Sequence, residues 1–471
     1  MGPNYRAPAT HTPSSWVAPP TTQASTTTQE PLQIERWWTT FNDPQLDSLI
    51  RRAVNANLDV QLAEEKIRQA RASLGIARGI FFPTIGTSGS YTRSFNAASG
   101  GVVVGGTVTG GTGTRSKPHA HDLWQAGFDS TWELDIFGGV RRGIEAASAS
   151  YEASIENRRD VLVTLLGEVA TDYIQLRGFQ QEAAIARENL TLQVKSLEVT
   201  RKKKELGNTT GLDVANAEAQ AANTRSQIAT FESESQQQIY ALSVLLGEEP
   251  TALLMELTPT AQIPVVPPIV PVGLPSELLR RRPDIRQAER QLAAATAQIG
   301  VATADLFPKF SLNGTLTVQG NRYEAISNWG NRFWSFGPSV SWPIFDAGQI
   351  WNNIEVQSAL QAQALTTYRK TVLTAFQDVE SALTAYAQEQ QRRAALADAV
   401  AANQRAVTIA NRGFEFGQTD FLNVLIAEGA LYSTQNAFVQ SNDAVATDLV
   451  AIYKALGGGW EVGEPPATLR Q

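Results

Sequence analysis

Hydrophobic and polar residues alternate in four segments of this 471-residue chain. In the most regular segment, Phe310, Leu312, Leu316 and Val318 are separated by Ser, Asn and Thr residues. A period of two residues predicts β-strands with one apolar face and one polar face. We predict strands over about 84–95, 122–137, 309–320 and 332–345.

After the second and fourth of these strands the spacing of apolar residues changes to three or four. From Gly139 the pattern runs through Leu162, Leu166 and Val169, and no proline occurs until Pro250. A mean spacing near 3.5 residues is typical of coiled-coil helices. A helix of about 65 residues would be on the order of 100 Å long, which is more than a compact domain needs. We predict long helices over about 139–205, 211–247, 347–415 and 420–457.

The sequence is internally repeated. Residues 58–83 match residues 283–308, and residues 206–218 match residues 416–428. The chain is therefore a duplication of a helix-strand-strand-helix unit. We divide it into an extended Thr- and Pro-rich tether (1–36), a first repeat (37–250), a Pro-rich linker (251–275), a second repeat (276–457) and a tail (458–471).

Composition excludes several classes of function. A net charge of −7 argues against a nucleic-acid partner, because binding DNA or RNA requires a basic face. The absence of cysteine excludes disulfides, thiolate zinc sites and cysteine nucleophiles. There is no apolar run long enough for a transmembrane helix and no signal peptide, so we expect a cytosolic protein or one whose signal has been removed. No nucleophile lies near a base, so we predict neither an enzyme nor a cofactor.

The strands allow two interpretations. Alternating faces suit either a half-exposed sheet of a soluble domain or the strands of a transmembrane barrel. Four strands cannot close a membrane barrel, since the smallest have eight. Two copies of the chain would give eight strands around a filled core, and three would give twelve around an open lumen. In a barrel, Glu133 and Asp135 would lie on the polar face and line water.

Four further motifs have simple structural interpretations. The glycine-rich stretch 100–111 lacks Gly-Lys-Ser/Thr, so it is a loop between two strands rather than a phosphate loop. His119 and His121 could share a metal ion, but no third ligand is near in sequence, so we predict no metal site. The basic run 201–204 suits the last turn of a helix, and Pro283 suits the first position of one.

Six motifs extend over nearly the whole chain in a fixed order. They are "GPNYRAP" at 2, "WWTTFNDPQLDSLI" at 37, "WELDIFGG" at 132, "GLPSELLRRRPDIRQAERQL" at 273, "FPKFSL" at 307 and "YKALGGGW" at 453. With these motifs the chain resembles the outer-membrane factors of Gram-negative tripartite efflux pumps, the TolC-like group, and most of all their OprM-like lipoprotein branch.

The resemblance implies a membrane α/β barrel. Three chains would form a twelve-stranded β-barrel in the outer membrane, continued by a long α-helical coiled-coil barrel through the periplasm, with a small mixed equatorial region. It implies a passive conduit for drugs or other small toxic compounds. The implied partners are two further copies, outer-membrane lipid, a periplasmic adaptor and an inner-membrane transporter of the resistance-nodulation-division type.

The same resemblance implies a lipid anchor. Members of this branch carry a lipid-modified cysteine just before the "GP.Y..P" stretch. This chain contains no cysteine, so we expect the lipidated residue at or just before Met1 of the natural precursor.

Three alternatives remain open at this stage. The same architecture could serve type I protein secretion or metal-ion efflux, because a polar lumen does not identify its cargo. From a different class, a trimeric coiled-coil stalk or adhesin would also contain long helices. The helix-strand-strand-helix order occurs twice, which argues against the adhesin, since such stalks do not fold back on themselves.

The most informative candidate site is the pair of turns "LGNTTGLDV" at 206 and "FGQTDFLNV" at 416. Glycines at the ends of the long helices suit left-handed caps, and Thr209 and Asp420 suit the N-caps of the returning helices. In a trimer, six such turns would ring the periplasmic mouth. The candidate gate residues are Gly207, Thr209, Leu212, Asp213, Gly417, Thr419, Asp420, Leu422 and Glu428.

We expect this gate to be mainly apolar. Leu212 and Leu422 either point inward as a hydrophobic constriction or pack between neighbouring helices. By resemblance, many relatives place an aspartate at the position of Ile426 and an arginine at that of Gly429. Both are absent here, so any acidic ring would have to come from Asp213 or Glu428.

Overall fold

The computed structural model describes residues 1–10, 13, 16–17, 25–26, 34–96, 119–266, 270–271 and 275–463. The glycine-rich stretch 100–111, half of the predicted tether and the end of the tail lie outside these residues. None of the described helices combines the length and the apolar character needed to cross a membrane.

The described residues form nine α-helices and six strands, besides four short 3-10 helices. The helices are α1 Pro44–Ala56, α2 Leu58–Gly79, α3 Gly139–Glu205, α4 Gly211–Leu245, α5 Leu254–Leu257, α6 Pro275–Arg281, α7 Pro283–Ala304, α8 Gln349–Glu415 and α9 Phe421–Ala455. The strands are β1 Ser25–Thr26, β2 Thr84–Asn96, β3 His119–Leu134, β4 Val270–Pro271, β5 Lys309–Gly320 and β6 Arg332–Ser341.

Asp135 does not lie on a strand, so its predicted place on the polar strand face is wrong. Strand β3 ends at Leu134, and the Asp135 carboxylate accepts hydrogen bonds from the backbone N–H groups of Val140 at 3.1 Å and Arg141 at 2.9 Å. The first N–H groups of an α-helix have no partner inside the helix, so a carboxylate just before α3 satisfies them. At the start of α8 the Asp346 carboxylate likewise accepts a hydrogen bond from the Ile350 backbone N–H at 2.8 Å.

One compact unit comprises residues 1–6, 69–151 and 291–364. Its centre is an antiparallel sheet in the order β2-β3-β5-β6. Phe128 lies opposite Leu316, which lies opposite Trp334, whereas Asp129, Thr315 and Ser335 are aligned on the other face. The sheet thus has one apolar and one polar face. Strands β2 and β6 are its edges and have one strand neighbour each within the described sheet.

Aromatic residues lie at both ends of this sheet. At one end the rings of Tyr91 and Trp124 are 4.4 Å apart, and Tyr323 packs edge-on against Trp124 at 5.5 Å. At the other end, Trp132 Nε1 donates to the Phe81 carbonyl at 3.0 Å, and Trp342 Nε1 donates to that of Leu306 at 3.1 Å. Aromatic girdles at both ends of an apolar band are typical of membrane strands.

The second compact unit comprises residues 7–68, 152–290 and 365–471, as far as they are described. Its main core contains Trp37 and Phe41 together with buried residues of α3, α8 and α9, and the Trp37 ring stacks on that of Tyr453 at 5.3 Å. Asp43 caps α1 by accepting from Gln45 and Leu46 N–H, and it also accepts from the Tyr173 hydroxyl at 2.7 Å. A much smaller cluster, around Leu197, Val214, Phe414 and Phe421, lies near the ends of the long helices.

Candidate gating site

The two turns that end the long helices have the same backbone geometry. Gly207 and Gly417 have φ of 73° and 72°, the left-handed region in which a side chain is strained. Asn208 N–H donates to the Lys203 carbonyl and Gln418 N–H to that of Gly413, each at 2.8 Å. These bonds complete Schellman-type caps, as the sequence predicted.

The predicted N-cap of α4 is wrong by one residue. The cap is Thr210, whose hydroxyl accepts from Asp213 N–H at 3.3 Å while the Asp213 carboxylate accepts from Thr210 N–H at 2.9 Å. This reciprocal pair is a capping box, and its T-x-x-D spacing was readable in the sequence. Thr209 instead donates its hydroxyl to Asp213 at 2.7 Å. Hydrogen bonds from Thr210 and Thr209 lower the pKa of Asp213.

The second turn is less tightly bonded. Asp420 does occupy the N-cap of α9, but its side chain makes no capping hydrogen bond. Thr419 accepts from the Asn423 side-chain amide at 2.7 Å. The two turns share their backbone path, yet the first is fixed by more side-chain bonds than the second.

Apolar side chains are exposed on both turns. Leu212 is 69 % exposed and Leu422 is 55 % exposed, and the neighbouring Leu206, Phe416 and Ile426 are exposed as well. Contiguous exposed apolar residues are characteristic of interaction surfaces. Within this chain, then, most of the Leu212 side chain and more than half of that of Leu422 stay uncovered.

The two carboxylates that could supply an acidic ring, Asp213 and Glu428, are already engaged. Glu428 is only 6 % exposed and accepts from the Ser196 hydroxyl at 2.9 Å, which places it between α9 and α3. Burial raises its pKa, with the hydrogen bonds from Ser196 and Asn411 acting the other way. Asp213 is held in the capping box. Neither carboxylate is therefore presented as a free acidic group.

The two repeats use equivalent positions differently. Arg201 pairs with Glu218 at 2.6 Å on the exposed surface of the first repeat. The corresponding positions of the second repeat are Asn411 and Glu428. With the arginine replaced by an amide, the second glutamate has no cation at that position, and it is buried instead.

Lys203 connects the two repeats at this end. Its ammonium lies 3.8 Å from the centre of the Phe414 ring and donates to the Phe414 carbonyl oxygen. Lys202, Lys203 and Lys204 form the last turn of α3, as predicted. The contact with Phe414 was not predicted, because the two residues are 211 positions apart and neither motif signals the other.

The histidine pair gives little support for a metal site. His121 Nε2 lies 3.0 Å from the Ser94 hydroxyl, and the side chain of His119 lies outside the described residues. Throughout the part of the chain that the structure describes, no three His, Cys, Asp or Glu side chains are grouped as metal ligands.

Comparison with protein families gives one match, to a model described as outer membrane efflux protein, over residues 49–248 and 274–458. Relatives that match this chain over most of both lengths include the following two. The pyoverdine export outer membrane protein OpmQ of Pseudomonas aeruginosa is 34 % identical, covering 91 % of this chain and 88 % of OpmQ. The toluene efflux pump outer membrane protein TtgI of Pseudomonas putida is 32 % identical, covering 90 % of this chain and 87 % of TtgI.

A solved structure has the same fold. The outer-membrane channel OprN superimposes with a TM-score of 0.89 at 34 % sequence identity, over 98 % of this chain and 99 % of OprN. The order of helices and strands is therefore shared over essentially the whole length of both chains.

Proposed function

This chain belongs to the outer membrane efflux protein family and is an outer-membrane efflux channel, and we propose that it is a homotrimeric conduit opened at the turns Leu206–Gly211 and Phe416–Phe421. The supporting observation is the sheet β2-β3-β5-β6, with an apolar face, aromatic ends and two edges. Unpaired sheet edges favour pairing with another chain. Three copies, edge to edge, supply twelve strands, which is ample for a membrane barrel.

As cargo we propose drugs or other small toxic organic compounds. OpmQ is named for pyoverdine export and TtgI for toluene efflux, so relatives of this chain handle chemically different small molecules. These names favour efflux over an adhesin stalk. A periplasmic adaptor and a resistance-nodulation-division transporter would supply the energy, because the chain contains no nucleotide-binding motif in its sequence.

Transport is tested in a Gram-negative host that lacks its own efflux channels. The chain, with a secretion signal, is expressed together with an adaptor and transporter of this class. We expect lower accumulation of a fluorescent dye and higher tolerance of toluene than in the host with adaptor and transporter alone. Unchanged accumulation, with the protein present in the outer membrane, would contradict efflux as its function.

We propose that the turns close the conduit with an apolar seal. The exposed Leu212 and Leu422 support this, because they leave apolar surface uncovered in the single chain. The chain contains no cysteine, so a single introduced cysteine reports on one position only. In Leu422→Cys channels a thiol-reactive cation should change the current, whereas the parent channel, which has no thiol, should not respond.

We also propose that the natural precursor carries a lipidated cysteine at or just before Met1. In support, the backbone oxygen of Met1 accepts from Arg142 Nε at 3.2 Å and the Asn4 side chain accepts from Arg142 Nη2 at 2.5 Å. These bonds hold the start of the chain against α3 in the same unit as the sheet. With a lipoprotein signal and cysteine restored, radiolabelled palmitate should be incorporated, and a Cys→Ser version should remain unlabelled.

A further inference from the structure

Helices α3 and α9 are joined by three pairs of polar side chains between the two apolar clusters of their unit, and one member of each pair, Glu428, Asn189 or Glu182, is buried. Ser196 donates to Glu428, Asn189 Nδ2 to Gln435 Oε1 and Gln440 Nε2 to Glu182 Oε1, each at 2.9 Å. The three α3 residues are spaced by seven positions, so they lie on one stripe of the helix. We call these six residues the polar seam: Glu182, Asn189 and Ser196 of α3, and Glu428, Gln435 and Gln440 of α9.

The stretch of α3 that carries the seam also contains polar atoms without a partner. Gln193, on the same stripe of α3, is 3 % exposed, and neither its side-chain oxygen nor its nitrogen has a hydrogen-bond partner among the described residues. Buried polar groups without partners are costly, and a partly satisfied network holds helices together less well than apolar packing does. The seam is thus the weaker part of the α3–α9 contact.

Two carboxyl groups lie about one helical turn apart at one end of the seam. Glu182 is 4 % exposed and is held by Gln440, and Asp443 lies on the same face of α9 one turn beyond Gln440. The side chain of Asp443 is seated over Gly178 of α3, where an added Cβ would come within 3.0 Å of Asp443 Oδ1. Gly178 lies one turn before Glu182, so both carboxyl groups face the α3–α9 contact. Asp443 Oδ1 is buried and has no hydrogen-bond partner among the described residues.

Nearby charged groups of α3 and α8 are engaged elsewhere, and on α9 burial and then the charge of Glu182 raise the pKa of Tyr432. On α3, Arg177 donates to Gln180 and Gln45, and Arg187 pairs with Glu232 of α4 at 2.6 Å. On α8, Glu389 pairs with Arg392 at 3.0 Å and accepts from Ser441 of α9. Burial, and then the charge of Glu182, raise the pKa of Asp443 to about 7. Burial also raises the pKa of Glu182.

We propose that Glu182 and Asp443 form a proton-dependent latch between α3 and α9. With one proton on the pair, the charges no longer repel and the seam stays closed. When that proton leaves, two charged carboxylates lie about one helical turn apart at the α3–α9 contact, and the helices separate more readily. This latch is a property of the chain itself and does not depend on which compound the channel carries.

The direction of the pH effect follows from linkage. A carboxyl group whose pKa is higher in the closed seam than in the open one stabilises the closed seam at low pH, and this stabilisation is lost as pH rises through the closed-state pKa. For a closed-state pKa of about 7, the opening equilibrium should rise up to about tenfold between pH 6 and pH 8.

Amide hydrogen exchange of the full-length protein in detergent, followed by mass spectrometry and corrected for intrinsic exchange rates, measures this opening. Peptides over 179–190 and 436–447 should open up to about tenfold more at pH 8 than at pH 6. Asp443→Asn should remove this pH dependence and keep the seam closed at pH 8. Glu188→Gln, an exposed neutralisation on the same helix, should retain it.

Glu182→Gln provides a second, independent variant if Asp443→Asn does not fold. Removal of the Glu182 charge should shift the midpoint of the pH dependence to lower pH, because one of the two causes of the raised pKa is gone. Equal opening of the parent at pH 6 and pH 8 would overturn the latch. So would an unchanged midpoint in both variants.

Discussion

Lys203 at the end of α3 lies over the ring of Phe414 at the end of α8, 3.8 Å from the ring centre, and donates to the carbonyl of the same residue. One side chain thus joins the ends of the two long helices of the chain. The apolar cluster at this end is small, so the contact adds to a limited set of interactions between the two turns.

Replacement of Lys203 should loosen this end of the molecule. A cation–π contact at an exposed site contributes about 0.5–1 kcal/mol, so Lys203→Ala should raise the opening equilibrium about two- to fivefold. Single-channel recording in planar bilayers measures the open probability. Lys202→Ala is the matched control, because Lys202 lies in the same turn and is exposed. Equal open probabilities for the two variants would exclude the contact as a restraint.

The apolar seal predicts a difference between two neighbouring residues. Leu422→Ser should raise single-channel conductance, since a polar side chain at an exposed apolar position admits water. Glu428→Gln should change conductance less, because Glu428 is buried between α9 and α3. If conductance of Leu422→Ser equals that of the parent, the seal lies elsewhere.

The corrected cap position makes a prediction about stability. Loss of an N-cap threonine costs about 1 kcal/mol, so Thr210→Ala should increase local opening of the first turn of α4 about fivefold. Thr209→Ala removes one hydroxyl donor to Asp213 but leaves the cap, and it should have a smaller effect. Hydrogen exchange of peptides covering 206–216 distinguishes the two. A larger effect for Thr209→Ala would contradict the observed cap.

The hydrogen bonds that the Trp132 and Trp342 indoles donate at one end of the sheet should each contribute to its stability. A hydrogen bond contributes about 1 kcal/mol net, so Trp132→Phe and Trp342→Phe should each lower the free energy of unfolding by about that amount. Because the two bonds occupy equivalent positions of the repeats, their effects should be similar and additive in the double variant. Urea unfolding followed by the β-sheet circular dichroism signal tests this; a strongly unequal pair would show that only one bond matters.

The edges of the sheet predict the oligomeric state. Light scattering corrected for bound detergent should give three times the mass of the chain, because three sheets of four strands close a twelve-stranded barrel. A stable monomer that keeps its β-sheet signal would rule out closure through edges β2 and β6.

Much of the fold could be predicted from local patterns. The period of the apolar residues defined β5 and α3, and glycine chemistry defined the left-handed caps at Gly207 and Gly417, because these features depend on neighbours in the sequence. Strand ends were less well defined: Asp135 continues the alternation of β3, but the unsatisfied amides of α3 compete for its carboxylate.

The tertiary structure decided which polar groups are buried and what they contact. Glu218 and Glu428 occupy the same place in the two repeats, yet one pairs with Arg201 on the surface and the other is buried against Ser196. Likewise, the pKa of Asp443 is raised only because the packing of α9 seats this residue over Gly178 and near Glu182. Burial and the charge of a distant residue are set by how helices pack, and no pattern within one helix contains that information.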